Sequence, residues 1–251
     1  AGRLSFWAKL KARNPNYAGR PCRIIQGVLL NGVFTAVTTR HFVITGIDGP
    51  DSGGNVTIEA KDILTLADNE KAVAPKAGRG FLSAGISAVD TSVTLLPAGI
   101  GTEYAVSGVA IIGSEIVEFT RSGDVLTLTS RGQRGTIAVA HTINDTVQPV
   151  FAPRLARVDD VIKDLLENYA GIPSAYIPFA DWQYECDRWA AQLSLTADIC
   201  KPEGVAKLIG ELAVLGVTIW WDDVAQLIQL RINRPPDTDT VADITDAANA
   251  I

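Results

Sequence analysis

Methionine is missing from all 251 residues, and an internal count of zero points to a piece of a longer protein. Cysteine is scarce: Cys22, Cys186 and Cys200 are far apart, odd in number and without a CxxC pair or a neighbouring histidine. That spacing excludes a disulfide framework and a zinc site, and leaves the thiols as small buried hydrophobes in a reducing compartment. No apolar run reaches the roughly 18 residues a membrane span needs, because the longest, around Leu212 to Trp221, is broken by Gly216. The opening stretch AGRLSFWAKLKARNP has no apolar core and no small-residue cleavage site, so export through a signal peptide is not expected. No internal repeat and no low-complexity segment occurs.

What is present is a globular composition, 47% apolar and 20% charged, in a length that allows one large domain or two to three small ones. The net charge of −6 argues against a dedicated nucleic-acid binder. One local exception stands out. Arg3, Lys9, Lys11, Arg13, Arg20 and Arg23 form a basic cluster in an acidic protein. Two readings stay open for it: a solvated or subunit-facing surface, or contact with nucleic acid passing nearby.

The patterning divides the chain into three. Residues 20 to 66 alternate like strands, with Asn31-Gly32 between two β-rich runs as a hairpin signal, and are expected to form a small antiparallel barrel or sandwich. NEKAVAPKAGRG, Asn69 to Gly80, reads as a linker. Short strands with recurring turn signals then fill residues 81 to 152, including a tight turn at Ser122-Gly123-Asp124, which is the mark of a small inserted all-β module. From Pro153 the period shifts to 3.6. Val158, Ile162, Leu165, Leu166 and Tyr169 share a helix face that Gly171 ends; a second helix is expected to start at Asp181, and a third near Pro202. A hairpin of VTIWWDD and QLIQLRI follows. The expected fold is mainly β with an α+β C-terminal part. It comprises an N-terminal barrel (1–80), the all-β module (81–152) and three helices with a hairpin (153–251). Leu165, Leu208, Leu212 and Trp189 are expected to be buried together in the last of these.

Candidate chemistry is thin. RGQRGTIAVAH, Arg131 to His141, offers arginines, glycines and a histidine, but a phosphate loop needs a helix after it, and TINDTV is turn-rich. Its glycines are better read as a strand–turn–strand corner, with His141 packed or hydrogen-bonded inside the module. A catalytic histidine needs a nucleophile and an orienting acid, yet no GxSxG occurs and His41 lies about a hundred residues away in a strand pattern. Asp159-Asp160 opens a helix and Asp222-Asp223 sits at a hairpin tip, neither with calcium-loop spacing. Trp182 and Trp189 have core spacing. Trp220 and Trp221 point to opposite sheet faces, so at most one of them is exposed, as core or as partner surface. No catalytic constellation emerges, and the expectation is a structural or binding protein, not an enzyme.

The stretch GSEIVEFTRSGDVLTLTSRGQRGTIAVAHTINDTVQPV resembles a module of tailed-phage tail-tip proteins, with its IG-x-E strand, hairpin and RG-x-x-GT-x-x-x-x-H-x-x-x-D-x-V run. ARNPNYAGRPCRI and GIDGPDSGGNVTIEAKDILTLADNEKAVAPK look like the first barrel of baseplate hub proteins. VIKDLLENYAGIP and WAAQLSLTADICKPEGVAKLIGELAVLGVTIWWDD are similar to the helical and hairpin domain of the same hubs. The resemblance covers nearly the whole chain and implies a hub of a phage tail or of a related gene transfer agent. Such a hub is a homotrimer in the virion tail tip, assembled in the bacterial host cytoplasm. It joins the tail tube or distal tail protein to the tip or fibre proteins. The resemblance also implies that the N-terminal barrel carries the subunit interface, with the basic cluster between subunits or lining a lumen through which genomic DNA leaves. Hubs use two barrels per subunit to meet a hexameric tube; only one is legible here. Some bind iron–sulfur clusters through clustered cysteines, which the scattered cysteines here do not match, so no cofactor is implied. The alternative is a glycan-binding or cell-wall-degrading tail-tip module.

Overall fold

The computed structural model of the chain describes residues 6–234. It is mainly β, and no helix among the described residues is long and apolar enough to cross a membrane. A short helix, α1 (Phe6–Arg13), leads into a long hairpin of β1 (Pro21–Leu30) and β2 (Val33–Asp48), to which β3 (Thr57–Lys61) is added on the far side of β2. The hairpin turns where Asn31 and Gly32 both take positive φ, +51° and +80°, as a type I′ turn requires.

The barrel expected over residues 20 to 66 is not closed there. Those residues make an open three-stranded sheet in the order β1-β2-β3, with β1 and β3 as edges. The physical reason lies in the apolar run IIQGVLLNGVF, which does not alternate and so does not define one inward face around which strands can close.

The closed barrel is built instead by residues 80 to 150. Its strands are β5 (Gly80–Leu82), β6 (Ser92–Leu96), β7 (Ser107–Ile112), β8 (Glu115–Ser122), β9 (Val125–Ser130) and β10 (Thr146–Val150), all antiparallel in the order β10-β5-β6-β9-β8-β7. β6 and β9 bury alternate residues, so Val93, Leu95, Leu126 and Leu128 fill the interior with Leu82, Ile112, Val117, Phe119 and Val147. Tyr104 closes one end by donating its hydroxyl to the Val147 carbonyl (2.5 Å), and burial pushes its pKa up to about 12.

A second core lies outside the barrel and is assembled from both flanking segments. Val43, Ile63, Ala67, Ala72 and Ala74 pack with Phe151, Val158, Ile162, Leu165, Leu166, Trp182, Val205, Leu208, Ile228 and Leu230. The expected linker is therefore partly core. Within it, β4 (Val73–Ala74) pairs with β13 (Glu203–Gly204), and Ala74 is fully buried. A further two-residue pair joins β11 (Ala156–Arg157) to β12 (Ser194–Leu195). The helices are α2 (Val158–Asp164), continued by a wider turn over Leu165–Tyr169, α3 (Phe179–Trp189) and α4 (Val205–Leu212). Gly171 follows α2 at φ +71°, as its position at the end of the periodic run predicts. The other two starts differ from expectation. Pro178 launches α3 two residues before Asp181, and pairing with β4 claims Glu203–Gly204 so that α4 begins only at Val205.

The hairpin of β14 (Val217–Asp222) and β15 (Leu227–Ile232) covers the helices. Trp182 is buried beneath it and donates its indole N–H to the Ile228 carbonyl (2.9 Å). Trp221 donates to the His41 carbonyl (2.8 Å), while the His41 N–H reaches the Asp223 carbonyl (2.9 Å), which ties β2 to the tip of this hairpin. Of the four residues expected to be buried together, Leu165 and Leu208 are, and Leu212 is only partly buried against the same core. Trp189, the last residue of α3, is 39% exposed, and its ring is covered by the guanidiniums of Arg188 and Arg234 and not by apolar core. Asp198 latches the barrel to this body by accepting from both Arg134 of the barrel and Arg154.

Candidate interaction surface

The longest run of exposed apolar side chains on adjacent strands is on the β1–β2 hairpin. Ile24, Ile25, Val28, Leu29 and Leu30 of β1 and Val33, Phe34 and Val37 of β2 are all exposed, Leu29 at 69% and Val37 at 71%. Neighbours along a strand point to opposite faces, so Ile24 with Ile25, and Leu29 with Leu30, place apolar surface on both sides. The register stacks Leu29 opposite Phe34 and Leu30 opposite Val33, which makes the surface continuous toward the tip. Contiguous apolar surface of this kind marks a binding site far more often than a tolerated defect.

The edge carries the same message. β1 is ten residues long, with Pro21 only at its first position and Arg23 as its one charge. Natural edge strands are usually protected by charge, proline or brevity, and β1 has little of any. A bulge at Gln26/Gly27 depends on a bare glycine: a Cβ on Gly27 would sit 2.1 Å from the Thr35 carbonyl oxygen and 2.7 Å from the Phe34 ring. The hairpin is thereby held in a bent form with its two apolar faces outward.

The basic cluster is divided by the fold. Lys11 is structural, since its ammonium donates to the Ile47 carbonyl (2.8 Å) and pins α1 to the end of β2. Arg20 is likewise engaged, with Nε on the Asn16 carbonyl (2.9 Å). Lys9 and Arg13 are four residues apart on one side of α1, Arg23 lies on β1, and all three are exposed without an ion pair among the described residues. Arg3 lies outside the described residues.

The segment RGQRGTIAVAH encloses a buried charge. Glu115 at the start of β8 is 0% exposed and accepts five hydrogen bonds. These come from Arg131 Nε (2.9 Å) and Nη2 (2.7 Å), the N–H groups of Gly132 (3.0 Å) and Val139 (3.1 Å), and His141 Nε2 (2.8 Å). Burial alone pushes the Glu115 carboxyl up, but these donors outweigh it and hold the pKa at about 2. Gly132, at φ +58°, lets the chain pass so closely that a Cβ would lie 2.6 Å from the Ala138 nitrogen. The arrangement is a knot that ties the β9–β10 connection to the barrel. His141 points its other ring nitrogen toward Asp145 at 3.6 Å. Among the described residues no group of three or more histidine, cysteine or acidic side chains is placed to hold a metal ion.

Sequence reasoning singled out the arginines, glycines and His141 of this knot, and quoted Glu115, its centre, only as the last residue of the IG-x-E run, without a role. The signal was there, because Glu115 is a charge inside the apolar run VAIIGSEIVEF. Compared with protein-family models, with curated proteins and with solved structures, the chain has no match in any of the three.

Proposed function

We propose that this chain is a structural subunit of a phage or phage-like tail tip, a hub that joins the tail tube to the tip or fibre assembly as a homotrimer in the virion. The observation that carries the reading is the β1–β2 hairpin, apolar on both faces and open along a ten-residue edge. In a ring, each subunit presents one face to the next copy and receives a different face of the previous one, so a hairpin with two apolar faces and a free edge is the kind of element a heterologous ring consumes. The knotted barrel and the shared outer core then act as a rigid body around that contact. Lys9 and Arg13 on α1, with Arg23 on β1, lie at the base of the hairpin and are free to give register between subunits or to meet phosphate in the lumen.

The test is negative-stain imaging of the purified chain together with its tail-tube partner. Threefold rings, lost when Leu29 and Phe34 carry charge, are the expected result. A ring of another order would refute the trimer. Release of soluble fragments from peptidoglycan by the same preparation would overturn the non-enzymatic reading.

A further inference from the structure

The outer face of the β14–β15 hairpin carries a groove of about 400 Å³ that none of the preceding argument uses. Its side chains are unusual company for a solvent-facing sheet. Thr218 and Trp220 stand two residues apart on β14 and so project to the same side, and Arg231 is the cross-strand partner of Thr218. Trp220 is 42% exposed, although Trp182 and Trp221 of the same domain are turned inward. Asn233 and Arg234 complete the wall, and among the described residues no acidic side chain lines the groove.

The charges there are incompletely used. Arg231 makes no ion pair among the described residues. The guanidinium of Arg234 lies over the Trp189 ring at 5.2 Å and 3.6 Å from Glu185, yet its buried Nε has no hydrogen-bond partner among the described residues. Glu185 also accepts from the Ile232 N–H (3.1 Å). Among the described residues, two guanidiniums against one carboxylate leave the groove one positive charge in excess.

We propose that this groove binds a pyranose bearing a carboxylate, a uronic-acid unit of an acidic polysaccharide. The exposed indole offers a flat apolar surface for the C–H face of a sugar ring. Thr218 and Asn233 supply hydroxyl and amide groups for the ring hydroxyls, and Arg231 has the planar fork that meets a carboxylate in two parallel hydrogen bonds. The volume falls within the range of small-ligand sites. Single-stranded nucleic acid fits less well. It needs a track of aromatic side chains in a positive channel, whereas this groove holds one exposed indole in a chain of net charge −6. The inference rests on the groove alone and is independent of the hub reading.

Titration calorimetry and tryptophan fluorescence with trigalacturonate and trimannuronate test it on the whole chain. At least one of them is expected to bind and to perturb the indole emission, with the matching neutral trisaccharide about tenfold weaker or worse. Trp220→Ala and Arg231→Gln are each expected to weaken that binding about tenfold while leaving the melting curve unchanged, since both side chains are exposed. The proposal is overturned if neither uronate binds at about 10 mM. Equal binding of the neutral sugar, tighter binding of oligothymidylate, or full affinity in Trp220→Ala would overturn it as well.

Discussion

Replacing Glu115 with Gln keeps the shape of the barrel knot and removes its charge. The carboxylate accepts from two nitrogens of Arg131, two backbone N–H groups and His141, and it is fully buried beside a guanidinium that is itself 9% exposed. A carboxamide has one acceptor oxygen and turns an NH2 toward groups that are already donors, leaving Arg131 buried without its counter-charge. Breaking one side of such a pair costs on the order of 3–5 kcal/mol. The pH dependence gives a second, compatible figure. The carboxyl is held at about 2 from an ordinary 4.5, and at about 1.36 kcal/mol per unit this is on the order of 3 kcal/mol. Because the folded pKa is the lower one, the stabilisation is fully present above about 4.5 and is lost as pH falls from there toward 2. The assay is hydrogen exchange of the barrel amides at several pH values, read beside tryptophan fluorescence, since no tryptophan lies between residues 80 and 150. Faster barrel exchange in Glu115→Gln at pH 7, and a flatter acid limb below pH 4.5, are expected. Unchanged barrel exchange would refute the keystone role.

Three further outcomes can be checked directly. Leu208→Ala should destabilise by about 2–5 kcal/mol in chemical denaturation, and Leu212→Ala by clearly less, because only Leu208 is fully buried. Asp198→Ala should cost about 1.5–3 kcal/mol of latch energy and speed tryptic cleavage at Lys76 and Arg79, where the chain enters the barrel. The Cys186 thiol, pushed up to about 12 chiefly by burial, should resist alkylation at pH 8 until the outer core unfolds, whereas the partly exposed Cys22 reacts in the native protein and Cys200, whose pKa burial also raises, reacts there slowly.

What could be read from the sequence was what local chemistry decides. Asn31-Gly32 specified its turn, Gly171 ended its helix, and Gly132 and Gly135 took the positive φ of a corner because the backbone alone demands it at those points. Closure is different, since it depends on partners far apart in sequence. β10 closes the barrel by pairing with β5 and β7, and nothing in TVQPV announces either. Ala74 reads as a linker residue until β13, about 130 residues later, pairs beside it. The surface was legible in principle. The run IIQGVLLNGVF breaks the alternation that a half-buried strand needs, and reading it as barrel assumed an interior that its own chain does not supply. Trp189 differs for a simpler reason, as helical spacing fixes a face but not what packs over its far end.

The claim that the β1–β2 hairpin is this protein's assembly surface is tested most directly by sedimentation velocity of the parent and of a Leu29→Glu, Phe34→Lys double variant. These two side chains face each other across the strands and are both exposed, so an opposite-charge pair there should leave the fold intact while placing two charges on the apolar surface. Covering the eight exposed apolar side chains of the hairpin is worth on the order of 10 kcal/mol, which meets the association cost of about 4–15 kcal/mol only if most are covered together. The parent is therefore expected to sediment as a trimer in a concentration-dependent manner, and the double variant as a monomer with the same melting temperature. Identical sedimentation of parent and variant across the concentration range would contradict the account.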